Sequence, residues 1–169
     1  MIHFFYGLAA NPLTLAHQKI VHELLDESPV NKVYLGLTEH DYKKIELPYQ
    51  LRERIVRANF KDEISSGRLV ILKQDQRTYK FLSSLHDMMD YVVVGTDEWN
   101  DLKAGKWHYS TELLRCWKWR VVPRTDGVSS TKVRELMKQG VGYSMLKGLV
   151  SRETYDLAEE FLGRCSLRS

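Results

Sequence analysis

Ile2-His3-Phe4-Phe5-Tyr6-Gly7-Leu8-Ala9-Ala10-Asn11-Pro12-Leu13-Thr14-Leu15-Ala16-His17 is the stretch whose reading decides the fold. Ile2 to Tyr6 is a short apolar and aromatic run that reads as a buried strand, and Gly7 follows it. Asn is a favoured N-cap and Pro a favoured first helical residue, so Asn11-Pro12 predicts a helix opening there. Ile20, Val21, Leu24 and Leu25 recur at helical spacing and give that helix one apolar face. Thr14 and His17 lie three apart in its first turns, on one face. Backbone N–H groups at a helix start, reinforced by the positive end of the helix dipole, attract phosphate before any side chain helps.

Val128-Ser129-Ser130-Thr131-Lys132-Val133-Arg134 repeats the arrangement near the other end of the chain. A run of hydroxyl residues precedes a helix containing Val133, Leu136 and Met137, with Arg134 one turn beyond Ser130. Hydroxyls and freed N–H groups can hold phosphate oxygens, and Arg134 adds a planar, permanently charged fork. Either motif alone is more often a helix cap. Both together, at strand-to-helix junctions of one alternating chain, point to nucleotidyl transfer.

The alternation is regular. Strands are predicted at Ile2 to Tyr6, Lys32 to Leu37, Leu69 to Leu72, Tyr91 to Val94 and Trp119 to Val122. Helices are predicted at about 13–27, 48–60, 78–88, 107–117, 130–138 and 151–162. Strands separated by helices need crossover connections, which are right-handed and build a parallel sheet covered on both faces. The expectation is a single Rossmann-like, doubly wound α/β domain over residues 1–169, with five parallel strands and a helical end at about 130–162. Ligands of such folds bind beyond the carboxyl ends of the strands, where Gly7, Gly36, Gly95 and Pro123 are expected to lie. Both motifs should therefore converge on one cleft.

Composition narrows the class. A hydrophobic share of 43% beside 28% charged residues describes a globular protein of one domain. No apolar run approaches membrane-spanning length, and no basic segment followed by a sustained apolar stretch suggests a secretory signal, so a cytoplasmic location is expected. Cys116 and Cys165 form no metal knuckle or disulfide pattern, and free thiols suit a reducing compartment. A net charge of +3 is too small to argue for nucleic acid; phosphate-rich small substrates explain a local positive site equally well.

Residues 5–17 and 128–134 resemble the two signatures of the nucleotidyltransferase superfamily with the (H/T)xGH-type motif, the relatives of class I aminoacyl-tRNA synthetases. Further matches along nearly the whole chain resemble nicotinamide/nicotinate mononucleotide adenylyltransferases. Asp41-Tyr42-Lys43-Lys44-Ile45-Glu46-Leu47, with the following Arg54, is similar to that family's DxYxKK-like segment and the Arg of its next helix. Gly95-Thr96-Asp97, with Trp107 after a short loop, resembles its GxD and tryptophan, and Val121-Val122-Pro123-Arg124 resembles its fifth strand and the basic residue after it. Leu149-Val150-Ser151 before a last helix is similar to its Leu-Val-Pro ending.

The resemblance implies transfer of AMP from ATP to the phosphate of nicotinate or nicotinamide mononucleotide, forming the dinucleotide and pyrophosphate. It implies ATP contacts from Gly7, Leu8, Ala9, Thr14, His17, Gly95, Asp97, Arg124, Ser129, Ser130, Thr131 and Arg134, with Thr14, His17 and Arg134 as the catalytic group. Thr14 and His17 would meet the phosphates, Ser129, Ser130, Thr131 and Arg134 the β and γ groups, and Gly95 and Asp97 the adenosine, Asp97 accepting from the ribose hydroxyls. For the mononucleotide it implies Lys44, Arg54, Thr78, Tyr79, Trp107 and His108. Trp107 would stack on the pyridine ring, Tyr79 would supply a second aromatic, and Lys44 would partner the phosphate. Relatives usually read Gly-(Gly or Ser)-x-Phe-(Asn or Asp)-Pro where this chain has Gly7-Leu8-Ala9-Ala10-Asn11-Pro12. The change removes a flexible backbone position and a packing residue but no charged or hydroxyl group.

A phosphate monoester has a second pKa of about 6, so the attacking oxygen is already largely anionic near neutral pH and needs no general base. His17 is then expected to be a positioned donor. Mg²⁺ is expected to ride on the ATP phosphates, because the sequence shows no dedicated cluster of carboxylate ligands and no protein metal site is foreseen. Trp99, Trp117 and Trp119 read as packing aromatics, His3 as structural and Lys43 as a solvated neighbour of Lys44; His40 and His108 fall near loops that can touch substrate. The sequence leaves open nicotinate against nicotinamide, monomer against homo-oligomer, and two rival roles: another transferase such as pantetheine-phosphate adenylyltransferase, or a non-catalytic nucleotide-binding regulator.

Overall fold

The computed structural model describes residues 1–39, 44–85, 88–123 and 129–167, with side chains described up to residue 163. In chain order the first half runs β1 (His3–Leu8), α1 (Leu15–Asp26), β2 (Lys32–Thr38), α2 (Tyr49–Asn59), α3 (Lys61–Ser65) and β3 (Leu69–Gln74). The second half runs α4 (Thr78–Ser84), β4 (Tyr91–Gly95), α5 (Thr96–Lys103), α6 (Ser110–Cys116), β5 (Trp119–Val122), α7 (Ser130–Lys138), α8 (Tyr143–Leu146) and α9 (Arg152–Leu167). All five strands are parallel, in the order β3-β2-β1-β4-β5. The chain winds outward from β1 to β3, returns to the middle, and winds out the other way through β4 and β5. The strand order therefore reverses between β1 and β4, and a crevice opens beyond their carboxyl ends.

Strand alternation builds two cores. In β1, Phe4, Tyr6 and Leu8 pack with Val21, Leu24, Ile55, Val133 and Ala158 from the helices on one face. Phe5 points the other way, to Phe81, Leu82, Leu102 and Leu113. Trp99, Trp117 and Trp119 pack against this second core, as their reading as packing aromatics expects. Among the described residues no helix is long and apolar enough to cross a membrane. Cys116 is an exposed free thiol.

Several boundaries differ from the sequence reading, each for a local reason. The first helix does not open at Asn11-Pro12: that peptide is cis, and Thr14 is the N-cap, with the helix starting at Leu15. The expected helix at 78–88 ends at Ser84, and the one at 107–117 starts at Ser110, because Tyr109 takes a left-handed backbone that breaks helical geometry. The segment after Gly95 is not simply a loop. Thr96–Lys103 is helical, with Asp97 and Glu98 in its first turn, where the helix dipole favours acids. Gly7 and Gly36 lie inside their strands and pair with each other.

That pairing reflects a close approach. A Cβ built on Gly36 would meet the Phe5 ring at 2.5 Å and Gln74 Oε1 at 2.8 Å, and one on Gly7 would meet Gln74 Oε1 at 3.0 Å. The glycines leave room for Phe5 and for the Gln74 carboxamide, whose Oε1 is buried without a hydrogen-bond partner. Gly36→Ala should overpack this recess and cost about 1–3 kcal/mol, read as a lower thermal midpoint. A change within about 0.5 kcal/mol would mean that Phe5 and Gln74 give way freely.

Candidate active site

The two motifs of the sequence meet across the crevice. Ser129 caps α7 by accepting a hydrogen bond from Lys132 N at 3.4 Å, and Ser130 Oγ donates to Pro12 O at 3.0 Å. Arg134 donates to Asn11 O and, through Nη2, to Thr131 Oγ1 at 3.2 Å. The helix start of α7 is thereby fastened to the loop that precedes α1. Arg134 Nε also lies 3.3 Å from Glu46 Oε2, and Glu46 contacts Lys138 as well.

The loop between β1 and α1 is held from behind by Arg52. None of its surface is exposed, and its guanidinium donates to Ala9 O at 2.8 Å, Thr38 O at 2.8 Å, Leu47 O at 2.9 Å and Glu39 Oε2 at 2.8 Å. Burial pulls its pKa down and the Glu39 carboxylate opposes that shift. Asn11, expected as a cap, instead accepts a hydrogen bond from Leu47 N at 3.0 Å through Oδ1. Between these clamps Ala10 adopts φ 50°, a left-handed conformation that an alanine keeps only where its surroundings enforce it.

His17 forms a capping box with Thr14. Its Nδ1 accepts a hydrogen bond from Thr14 N at 3.1 Å, and its own N–H donates to Thr14 Oγ1 at 3.4 Å. With Nδ1 receiving a backbone donor, the ring proton belongs on Nε2. Burial pushes the imidazole pKa from 6.5 down to about 4, so the ring is neutral over the physiological range. The result is a neutral ring whose N–H is carried on Nε2.

A cleft of about 570 Å³ collects these groups. Gly7, Leu8, Ala9, His17, Ser130, Thr131 and Arg134 are part of its lining. Lys44, Thr78, Trp107 and His108, all expected from the sequence, also line it, with Trp107 edge-on to Trp119 at 6.4 Å. Gln74, Arg77 and Lys106 line it too, and no motif announced them.

Six expected residues fall outside the lining. Thr14 is 1% exposed and committed to His17. Ser129 is the cap of α7, and Gly95 is the cap of α5, whose first turn carries Asp97 on the surface. Arg54 is exposed on α2, and Tyr79 faces Tyr109 and Trp117. Arg124 lies outside the described residues, as do His40 and Lys43. The arginine of this helix that bonds the loop after β1 is Arg52, from behind the lining. Its signal was present: Arg52, Ile55 and Val56 share the buried stripe of α2, and a charge on such a stripe requires partners.

Solved structures with this architecture are known. The chain superposes on a protein of Vibrio parahaemolyticus named as a candidate nicotinate-nucleotide adenylyltransferase, at TM-score 0.71 and 21% identity, covering 93% of this chain and 98% of that one. It also superposes on Plasmodium falciparum nicotinic acid mononucleotide adenylyltransferase complexed with NaAD, at TM-score 0.73 and 14% identity, covering 95% and 96%. The same Plasmodium enzyme complexed with APC gives TM-score 0.70 at 14% identity, covering 94% of each chain. The chain shares their fold. No family model and no curated protein matches the sequence.

The depressed pKa of His17 has a consequence for stability. A group held neutral in the fold contributes fully above its unfolded value of 6.5, and the contribution is lost as pH falls toward about 4. Relative to His17→Gln, the wild type should lose about 1–2 kcal/mol between pH 7 and pH 5. Urea unfolding of both proteins at the two pH values measures this. A constant difference would mean that His17 titrates normally.

Proposed function

We propose that this protein is an adenylyltransferase that joins the AMP part of ATP to a pyridine mononucleotide. The observation that carries the reading is the convergence of two helix starts on one cleft, fastened by Ser130 to Pro12 and by Arg134 to Asn11, with the neutral His17 ring in its lining. The shared fold of the adenylyltransferases named above supports it.

In this mechanism an oxygen of the mononucleotide phosphate attacks the α-phosphorus of ATP. One P–O bond forms, the bond from the α-phosphorus to the bridging oxygen breaks, and pyrophosphate leaves with that electron pair. The attacking phosphate is mostly dianionic near neutral pH, so no proton has to be removed first. Catalysis then rests on alignment and on neutralising negative charge. His17 Nε2–H donates to the α-phosphate. Ser130, Thr131 and Arg134 hold the β and γ groups, Arg134 exchanging Glu46 for phosphate. With the carbonyls of Ala9, Asn11 and Pro12 already engaged, the loop after β1 offers its N–H groups to the nucleotide. Thr14 acts by holding the His17 ring.

On the other wall, Trp107 stacks on the pyridine ring, with Thr78 and His108 beside it, and Lys44 meets the mononucleotide phosphate. Mg²⁺, carried on the ATP phosphates beside Ser130, Thr131 and Arg134, would supply charge neutralisation of the departing pyrophosphate.

Pyrophosphate release from ATP and Mg²⁺, with nicotinate mononucleotide, nicotinamide mononucleotide and phosphopantetheine offered separately, tests the reading. Release should depend on a pyridine mononucleotide, and His17→Ala should slow turnover about a hundredfold to a thousandfold. Release with phosphopantetheine alone, or ATP binding without release, would overturn it.

A further inference from the structure

Tyr109 has φ 59°, a left-handed conformation that a bulky aromatic keeps only when its surroundings over-determine it. The residue is 51% exposed, so burial does not enforce it. Its ring stacks on Tyr79, with centroids 4.6 Å apart and planes 19° from parallel, and Tyr79 is set edge-on to Trp117 at 5.9 Å and 88°. Tyr109 O accepts the first hydrogen bond of α6, from Leu113 N at 2.9 Å. Neither tyrosine lines the cleft, yet each directly follows residues that do. Thr78 precedes Tyr79 at the start of α4, and Trp107-His108 precede Tyr109.

We infer that Tyr79 and Tyr109 are positioning residues whose stack holds the segments carrying Thr78 and Trp107-His108 relative to one another, and with them the slot that these cleft-lining residues form. The stack ties the start of α4 to the end of the loop between α5 and α6, so the two lining segments cannot move independently. At its other end the loop is anchored to α5 by Lys106 N donating to Asp101 O at 3.0 Å, and by the Lys106–Asp101 ion pair at 3.3 Å. A flat ring entering the slot then meets Trp107 on a segment already held in place, which lowers the ordering cost of binding. The inference rests on the adenylyl-transfer reading, because the slot is the part of the cleft assigned there to the mononucleotide ring.

Steady-state kinetics separate this role from a general structural one. Tyr79→Ala and Tyr109→Ala should each raise KM for the mononucleotide about threefold to tenfold, the range expected for loss of an aromatic stack, and leave KM for ATP within about twofold. Tyr79→Phe and Tyr109→Phe keep the stack and should behave as wild type. The double alanine variant should be no worse than the poorer single one, since both remove the same contact. If an alanine variant does not fold, Tyr109→Leu, which keeps apolar cover without a stack, replaces it. An unchanged mononucleotide KM, or equal rises in both KM values, would overturn the latch, as would a large effect of Tyr79→Phe. Failure of the wild type to turn over any pyridine mononucleotide would instead strike the functional reading, and the latch with it.

Discussion

The guanidinium of Arg52 joins the loop after β1, the end of β2 and the residues leading into α2, and the shape of the cleft depends on that junction. A charge with no exposed surface is tolerable only when its donors are matched, and here three carbonyl oxygens and one carboxylate match them. The guanidinium stays protonated in spite of burial, so the junction does not switch with pH. Tyr49 adds a ring face 5.5 Å from the charge. Without the guanidinium, the carbonyls of Ala9, Thr38 and Leu47 would be left buried without this donor, and the left-handed turn at Ala10 would lose its support from behind.

From that fixed loop the site follows by short steps. Asn11 and Pro12 present carbonyls to Arg134 and Ser130, which brings the second motif against the first. Thr14 closes the loop into α1 and captures His17 Nδ1, and the ring is left with one donor. Lys44, Arg77, Lys106 and Arg134 bring positive charge to the same cleft lining, with Glu98 as its acidic member. The proposed phosphate-aligning role draws on this charge and on a histidine held neutral by burial and oriented by its cap.

Much of this was legible in the sequence because it is written in local patterns. The five strands are short apolar runs bounded by breakers, and the two motifs mark helix starts by their residue types, Thr14 and His17 in one and Ser129, Ser130, Thr131 and Arg134 in the other. What was not legible depends on tertiary contact. Asn11 looks like a cap, but its amide is claimed by Leu47 from elsewhere in the chain, and the cap moves to Thr14. Arg54 occupies the expected arginine position, but helical periodicity turns it outward and Arg52 inward. Tyr79 reads as a ring contact until Tyr109, a residue with no motif, is found stacked on it. Gln74 reaches the cleft because Gly7 and Gly36 make space for it, and that pairing depends on strand register.

A crystal structure of the protein with a non-hydrolysable ATP analogue is the most direct test of this account. It should find a phosphate oxygen within hydrogen-bonding distance of His17 Nε2, with the terminal phosphates at Ser130, Thr131 and Arg134 and the Arg134–Glu46 contact broken. A nucleotide bound elsewhere, or one whose phosphates leave His17 untouched, would contradict it.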